Sequence, residues 1–549
     1  MLKKGFSVIL VFVMLLTLFT GCAKSTNSDD ETTPAPTVSG TTDSTTGDEE
    51  NFNATGYPIV DEPITVTALF PIYDMNLVGD VPEDTAYWKK LSELTNVNVE
   101  WEVIESDVTT LNLYYASGDF PDFFLGSLSN DRINTYGVQG GLFVDISEMI
   151  YEYMPHMVSR IPEWPQMEKV IRELNDEVYT IPQVRLGTTA AYGQMFYRTD
   201  YLEETGLDVP KTVDEFYNAL VAIKDAGLTK GLAPLLPYDG THVAGQLEGF
   251  LFPAFGDAVE PGFADDGTGK VVYNFTSEQY KQYLQFMNKL YADGLLENEI
   301  FSLDPATTMA RVKSGEAAFM TYGANILPED FPDGQMHLDC LAPLVSENTT
   351  TQKVPSFSYL SNSTGGININ SEYPREILRF LDAAYAKEEI APGTGLDAIA
   401  ANSGIKGEAY TIDEANNTYE FIIPDGWNDS PWTYIRQAHA WDVPYGVYDM
   451  AYYNSAPNPY AREKGMMTNN VPYAVDKFPN LLMKVTSEES TQIANKLTDI
   501  NAYIEQKRAE FISGVEPLSN WDNFVDTISK MGIEDVLKVK QTAYDRWDQ

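Results

Sequence analysis

The apolar residues of this chain alternate between strand spacing and helix spacing, and this alternation restricts the fold more than any other feature. Residues 64–70 are rich in β-branched and apolar side chains, as is typical of a buried strand. A helical pattern begins at Asp84 or Thr85, and residues 97–104 and 120–125 predict two further strands. Strands separated by helices usually pair in parallel, so the sequence predicts an α/β fold.

Later helices have recognisable beginnings. Thr212 followed by Glu215 has the spacing of a capping box, and Ser277 and Asp304 stand where two more helical patterns begin. Residues 265–267 predict a hairpin turn, because Asp-Asp-Gly stands before a short apolar run. These elements extend the predicted alternation of helices and strands through the middle of the chain.

The N-terminus carries a secretory leader. Lys3 and Lys4 precede an apolar stretch at residues 5–19, which has the length of a signal-peptide core rather than of a membrane-spanning helix. Phe-Thr-Gly-Cys at residues 19–22 resembles the bacterial lipobox, although that motif prefers Leu at its first position. We therefore expect a lipoprotein signal peptide over residues 1–21 and lipidation, including palmitate, at Cys22.

A polar segment follows the leader. Residues 22–56 consist mainly of Ser, Thr, Asp, Glu, Pro, Gly and Asn, and such a segment buries too little apolar surface to offset its ordering entropy. The sequence predicts a disordered tether there. We expect the lipid to hold the folded body at the extracellular face of the bacterial cytoplasmic membrane.

Charge and composition exclude several classes of function. The chain has 36 basic and 81 acidic residues, for a net charge of −45, so nucleic-acid phosphates would be repelled. Two cysteines and four histidines leave too few ligands for a cysteine zinc site or a histidine cluster. We expect no cofactor and no metal ligand set, with a structural calcium left open.

Catalytic motifs are missing from the sequence. It contains no HExxH, no GxSxG and no Walker P-loop, and the glycine-rich match at residues 393–398 follows a charged segment and Pro392 rather than a strand. With 81 acidic residues, paired carboxylates arise by chance, so a glycosidase pair cannot be chosen from sequence. We expect a protein that is not an enzyme.

Several short segments, in order, resemble the large sugar-binding family of extracellular solute-binding proteins that serve bacterial ABC importers. The segments are ASGDFPD at 116–122, GLFVDI at 141–146, YTIP at 179–182, FYRTDYL at 196–202, GLDVPKT at 206–212, LYADGL at 290–295, SGEAAF at 314–319, FISG at 511–514 and QTAYDR at 541–546. One departure is Val213, where the family usually has Trp. The resemblance covers residues 60–549.

The resemblance implies an α/β, two-lobed, periplasmic-binding-protein-like fold whose lobes are linked by a hinge and close over a ligand. Lobe 1 is expected over residues 57–190 and 364–460, and lobe 2 over residues 191–363 and 461–549. By analogy, the first crossover lies near residues 181–196 and the second near 356–364.

A sugar presents apolar C–H faces and many hydroxyls, so its site needs aromatic rings together with polar donors and acceptors. Loops that follow strands are the expected position. The candidates in such loops are Tyr73, Asp74, Ser127, Asn130, Tyr192, Tyr238, Asp239, His242 and Tyr322. The densest aromatic segment, residues 427–453, is expected to form long loops and adds Trp432, Trp441 and Tyr445.

The function implied by the resemblance is capture of an oligosaccharide for delivery to a membrane permease. Two alternatives stay open: a surface glycoside hydrolase or lyase, and the same fold binding a peptide or another small solute. We expect a monomer with an ABC permease as partner and no nucleic-acid partner.

Overall fold

The computed structural model describes residues 51–72, 82–186, 193–238, 243–321, 326, 330–356, 360–413, 418–427, 431–440, 443–448, 461–480 and 482–548. The predicted signal peptide, the lipidation site Cys22 and most of the tether lie outside these ranges. Asn51–Gln549 forms one compact unit. Within the described ranges, no helix is both long enough and apolar enough to cross a bilayer.

The folded body includes residues 51–56, which the sequence assigned to the tether. The Phe52 ring lies 5.7 Å from that of Tyr153, and the Arg375 guanidinium lies 4.5 Å from the centre of the Phe52 ring. Arg379 also donates to the carbonyl of Asn53. These ring contacts and this hydrogen bond hold residues 51–56 against the body.

The first sheet is parallel at its centre. β1 (Ile64–Ile72) pairs in parallel with β2 (Val97–Glu105) and with β3 (Phe123–Phe124), while β13 (Gly366–Ile367) lies antiparallel at the edge. Helix α1 (Ala86–Thr95) connects β1 to β2 and ends at Asn96, which has a positive φ. The three predicted strands and the predicted helix are confirmed, although β3 is short.

The second sheet has the order β10-β5-β9-β6. Its strands are β5 (Phe196–Arg198), β6 (Leu235–Leu236), β9 (Phe319–Met320) and β10 (Leu338–Cys340). β6 and β9 run in parallel, while β5 is antiparallel to β9 and β10. This sheet thus differs from the first in having its antiparallel strand inside.

Two further pairings join distant parts of the chain. β4 (Ile181–Arg185) lies between antiparallel β12 (Leu360–Thr364) and parallel β16 (Gly446–Tyr448), and β11 (Val354–Ser356) pairs in parallel with β17 (Ala474–Asp476). Among the described residues there are also two antiparallel strand pairs: β7 (Phe263–Asp265) with β8 (Val271–Tyr273), and β14 (Tyr410–Asp413) with β15 (Thr418–Phe421). The first hairpin confirms the predicted turn.

The predicted N-termini of three helices are also confirmed. Thr212 and Glu215 form both hydrogen bonds of a capping box before the helix that begins at Val213, and the side chains of Ser277 and Asp304 cap the helices that follow them. The α-helices after α1 are α2 (Val108–Ser117), α3 (Asn130–Arg132), α4 (Met149–Tyr153), α5 (Pro155–Arg160), α6 (Gln166–Ile171), α7 (Thr199–Thr205), α8 (Val213–Asp225), α9 (Glu248–Leu251), α10 (Glu278–Ala292), α11 (Pro305–Lys313), α12 (Pro374–Asp382), α13 (Ala398–Ser403), α14 (Pro431–Ala438), α15 (Ala461–Asn469), α16 (Ser487–Ser513), α17 (Trp521–Lys530) and α18 (Ile533–Asp548). Residues Ile133–Gln139 and Val243–Leu247 are π-helical.

The described residues form two large hydrophobic cores. The first core draws on residues 59–184 and 360–447 together with Leu482, and the second draws on residues 195–354 and 493–539. The second core contains a buried ion pair, in which Arg508 Nε lies 3.2 Å from Glu248 Oε1 and 3.0 Å from the Tyr280 hydroxyl. The lobe boundaries given above stay predictions.

The helix α14 contradicts part of the expectation for residues 427–453. These residues were expected to form long loops, but Pro431–Ala438 is helical and Gly446–Tyr448 is a strand. Proline is favoured in the first turn of a helix because its missing N–H has no partner there. The proline that suggested a loop is instead the first residue of α14.

The C-terminal helices are joined where they meet. Thr486 and Glu489 form a capping box at the start of α16, and Glu489 also accepts two hydrogen bonds from Arg546 of α18, at 2.9 and 2.6 Å. Arg546 donates to the carbonyl of Lys484 as well, at 3.0 Å. One residue further along, the Trp547 ring lies 4.8 Å from the ammonium of Lys169 in α6.

Candidate functional site

The carboxyl ends of parallel strands are the expected position of a ligand in an α/β fold. The parallel strands β1, β3, β4, β6 and β9 are each followed by predicted site residues. Seven predicted site residues lie outside the described residues: Tyr73, Asp74, Tyr192, Asp239, His242, Tyr322 and Trp441. Trp432 lies on α14, and its side chain is also outside the description.

Ser127 lies just beyond β3 in an unusual conformation. Its φ is 63°, which a residue with a Cβ seldom adopts. Its hydroxyl is 3.1 Å from the Tyr115 hydroxyl, and its carbonyl accepts a 2.8 Å hydrogen bond from Arg132. The Arg132 guanidinium lies 4.8 Å from the centre of the Tyr115 ring, and burial raises the pKa of Tyr115 to about 12. These contacts hold a half-buried hydroxyl beside a neutral phenol at the strand end.

Asn130 belongs to a polar network that the sequence did not indicate. Its Oδ1 accepts hydrogen bonds from Lys484 Nζ at 3.2 Å and from Asn362 Nδ2 at 3.3 Å. Lys484 Nζ is also 2.6 Å from Glu173 Oε1, with both side chains only 7 % exposed. Burial raises the pKa of Glu173 and lowers the pKa of Lys484. The Asn130 carbonyl oxygen is therefore engaged in holding the start of the C-terminal region against lobe 1.

Tyr238 lies two residues beyond β6 and is connected to the neighbouring strand. Its backbone N–H donates to the Thr321 hydroxyl at 3.1 Å, and Thr321 directly follows β9. Tyr238 is half-buried, whereas Thr321 is almost fully buried. The hydrogen bond joins the ends of two parallel strands.

Gly193 lies in the predicted first crossover, near residues 181–196. Backbone atoms of another segment approach it closely. Its φ is 89°, and a Cβ there would lie 2.6 Å from the carbonyl carbon of Gly249. Gln246 Oε1 accepts the N–H groups of Gly193 and Gln194 at 2.9 and 3.1 Å, and Asn470 donates to the Gly193 carbonyl at 3.3 Å. The segment that leads out of the predicted Tyr192 position is thus held from two sides.

Gln246 and Asn470 are residues that sequence reasoning missed. Neither stands in a motif, and each is more than 50 residues from Gly193 in the chain. The sequence contained one sign of these contacts, which is Gly193 itself. Glycine often stands where the backbone closely approaches another group.

Tyr445 occupies a different environment from the other predicted residues. It is fully buried in the first core, with its ring 6.4 Å from that of Tyr385. Its hydroxyl has no hydrogen-bond partner among the described residues. These contacts support a packing role for Tyr445, and we leave it out of the ligand set considered below.

Within the described ranges, no group of three or more His, Cys, Asp or Glu side chains is close enough to hold a metal ion. Asp265, which begins the β7–β8 turn, accepts the N–H groups of Gly267 and Gly269 at 2.8 and 2.9 Å and the Tyr544 hydroxyl at 2.8 Å. Its oxygens are thus used by the turn and by α18. A structural calcium therefore stays open, as it was in the sequence analysis.

Comparisons with known proteins identify relatives over most of the chain. Residues 79–391 match the family described as bacterial extracellular solute-binding protein. The fructooligosaccharide ABC transporter substrate-binding protein FusA of Streptococcus pneumoniae serotype 4 is 24 % identical over 487 residues, which cover 85 % of this chain and 88 % of FusA. The lipoprotein LipO of Bacillus subtilis is 24 % identical over 474 residues, 82 % of this chain and 86 % of LipO.

A third relative and two solved structures are also similar to this chain. The polygalacturonan/rhamnogalacturonan-binding protein YtcQ of Bacillus subtilis is 24 % identical over 40 % of this chain and 42 % of YtcQ. The structure of FusA with kestose has a TM-score of 0.70 at 22 % identity, covering 88 % of this chain and 99 % of that one. The alginate-binding protein AlgQ2 without calcium has a TM-score of 0.68, with the same identity and coverage. These two likenesses show the fold.

Proposed function

The chain belongs to the bacterial extracellular solute-binding protein family, and from that membership we propose that it captures an oligosaccharide and delivers it to the permease of an ABC importer. The family resemblance and the two-lobed α/β fold expected from the sequence are confirmed. The observation that carries the proposal is the match to FusA, a fructooligosaccharide-binding protein, along 85 % of this chain.

The proposed ligand site lies at the strand ends described above. Ser127 offers a hydroxyl and Tyr238 offers an aromatic ring, and these are the two groups that a sugar hydroxyl and a sugar C–H face need. The predicted Tyr73, Asp74, Tyr192, Asp239, His242, Tyr322, Trp432 and Trp441 complete the proposed set, with Asn130 holding the neighbouring segment in place.

The proposed mechanism is closure of the two lobes on the ligand. A sugar that contacts both lobes binds the closed form more tightly, and this difference in affinity shifts the population toward closure.

We also propose that the protein is anchored by lipid, including palmitate, at Cys22, after removal of the signal peptide at residues 1–21. The lipobox-like residues 19–22 and the polar segment that follows them support this. Membership in an extracellular family agrees with the localisation.

The decisive experiment is calorimetric titration of the mature protein with a panel of oligosaccharides that includes kestose, alginate oligomers and polygalacturonan oligomers. We expect a 1:1 complex with at least one of them. Prolonged incubation of that complex should release no new reducing ends, because the proposal requires binding without cleavage. New reducing ends would support the hydrolase or lyase alternative, and binding of a peptide panel instead would support the alternative ligand class.

A further inference from the structure

A cavity of about 690 Å³ lies where the C-terminal helices, the crossover strands and the β7–β8 region meet. Its lining includes Ser356 at the end of β11, Asp476 at the end of β17 and Gln166 of α6. The strand-end residues Ser127 and Tyr238 do not line it. The cavity therefore does not include the two strand-end residues of the proposed oligosaccharide site that the structure describes.

Aromatic rings form much of the cavity surface. Phe263 lies 4.9 Å from Tyr273, and Phe478 lies 5.0 Å from Tyr544, measured between ring centres. Trp547, near the end of α18, also lines the cavity. Rings from three separate parts of the chain thus meet around one space, and such surfaces favour a ligand with a flat apolar face.

Two of the acidic side chains at the cavity already have partners. Glu260 accepts the Phe478 N–H at 3.0 Å and lies 3.6 Å from the ammonium of Lys477. Asp476 accepts the Ser356 hydroxyl at 2.9 Å. Their negative charges are thus partly balanced by local donors, and a third acid, Asp548, completes the acidic lining.

Lys540 is one of two lysines in the cavity lining. It lines the cavity, is only 9 % exposed, and makes no hydrogen bond or ion pair with a described residue. Its ammonium lies 5.5 Å from the centre of the Phe263 ring. Burial lowers the pKa of Lys540, while the charge of Asp131 raises it. An anionic group in the cavity would give this ammonium the ion pair that the described residues do not provide.

We propose that this cavity is a second binding site, which takes a small carboxylate with a flat ring, its carboxylate on Lys540 and its ring between the aromatic side chains. The volume is within the range of pockets that hold small organic ligands. Both an aromatic acid and a uronic acid have this chemistry, since each combines a carboxylate with an apolar ring face.

The test is calorimetric titration of the mature protein with 4-hydroxybenzoate and with D-glucuronate. Each is paired with a neutral counterpart, 4-hydroxybenzyl alcohol and D-glucose. We expect at least one carboxylate to bind tenfold or more tightly than its neutral counterpart, and which one binds identifies the ligand as an aromatic or a uronic acid. If neither carboxylate binds at millimolar concentration, the proposal is wrong.

Two variants locate the binding. Lys540→Met removes the charge and should weaken carboxylate binding at least tenfold, whereas Lys538→Met, on the same helix and with a side chain 78 % exposed, should leave it unchanged. If Lys540→Met does not fold, Leu497→Trp decides the question, because Leu497 lines the cavity and a larger side chain there should abolish binding. Unchanged carboxylate affinity in the folded variant overturns the proposal. Oligosaccharide affinity should be the same in all variants, so the two proposals fail independently.

Discussion

Lys484 and Glu173 form a buried ion pair 2.6 Å long between residues that are 311 positions apart in the chain. Glu173 lies just after α6 in lobe 1, and Lys484 stands shortly before α16, whose side chains enter the second core. The pair therefore lies close to the segment in which the chain leaves the first core, at Leu482, and enters the second, at Ile493.

Removing one partner of this pair should destabilise the protein strongly. Glu173→Gln leaves the Lys484 ammonium buried without its counter-ion, and we expect a loss of about 3–5 kcal/mol in the free energy of unfolding. Urea denaturation measures it. As a control, Lys89→Met removes an exposed pair with Asp84 and should cost no more than about 1 kcal/mol. Equal losses in the two variants would show that the buried pair contributes no more to the free energy of unfolding than the exposed pair does.

Asp382 should make stability depend on pH. Its carboxylate is buried and accepts the N–H groups of His156 and Met157, and burial raises its pKa to about 7. The folded protein then keeps a proton that the unfolded chain releases near pH 4, so this group's contribution to stability is present below about pH 4 and is lost as pH rises to about 7. Asp382→Asn, which cannot ionise, should gain stability relative to the unmodified protein between pH 4.5 and 8, as measured by urea denaturation. A constant difference between the two proteins across this range would contradict the prediction.

Gly193 and Gly141 allow conformational strain to be separated from a steric clash. Both have a positive φ, but a Cβ at Gly141 meets no atom within 4 Å, whereas at Gly193 it would lie 2.6 Å from Gly249. Gly141→Ala should cost about 1–2 kcal/mol, the penalty of the left-handed conformation alone. Gly193→Ala should cost clearly more, and it should also weaken oligosaccharide binding because it displaces the crossover. Thermal unfolding and titration measure both effects, and similar losses in the two variants would count against the close approach.

Tyr238 and Tyr445 should respond differently to mutation. Tyr238→Ala should weaken oligosaccharide affinity at least tenfold, about 1.4 kcal/mol, through loss of its half-buried ring. Tyr445→Phe removes a buried hydroxyl that has no hydrogen-bond partner among the described residues, so it should leave affinity unchanged and stability within about 1 kcal/mol. Calorimetric titration is the measurement. A loss of affinity in Tyr445→Phe would return that residue to the ligand set.

Cys22 is expected to determine where the protein resides. Cys22→Ser should abolish lipidation and release the protein into the medium, whereas Ser25→Ala, three residues further along, should leave it bound to the membrane fraction. Fractionation and mass spectrometry of the mature N-terminus report the outcome. Retention of the serine variant on the membrane would contradict the anchor.

Local rules predicted local elements well. The strand at residues 64–70, the capping box of Thr212 and Glu215 and the hairpin after Asp265 each depend on neighbouring residues, and each is present. The helix α14 was missed because Pro431 was treated as a sign of a loop, although a proline in the first turn of a helix costs no hydrogen bond.

Contacts between distant residues were not predictable in the same way. Nothing near Glu173 marks it as the partner of Lys484, and nothing near Gln246 marks it as the acceptor for Gly193. Tyr445 was predicted as a ligand residue but is fully buried in the first core. The sequence does not distinguish an aromatic residue that faces a ligand from one that packs in a core.

The double use of Glu489 has a practical consequence for anyone who shortens or extends the chain. Because Arg546 holds both Glu489 and the carbonyl of Lys484, the last turn of α18 supports the first turn of α16, 57 residues earlier. Deleting residues 546–549 would therefore loosen a helix start that is remote in sequence. An affinity tag fused after Gln549 would stand beside this junction, so a tag placed ahead of the folded body is the safer choice for measurements of stability or lobe motion.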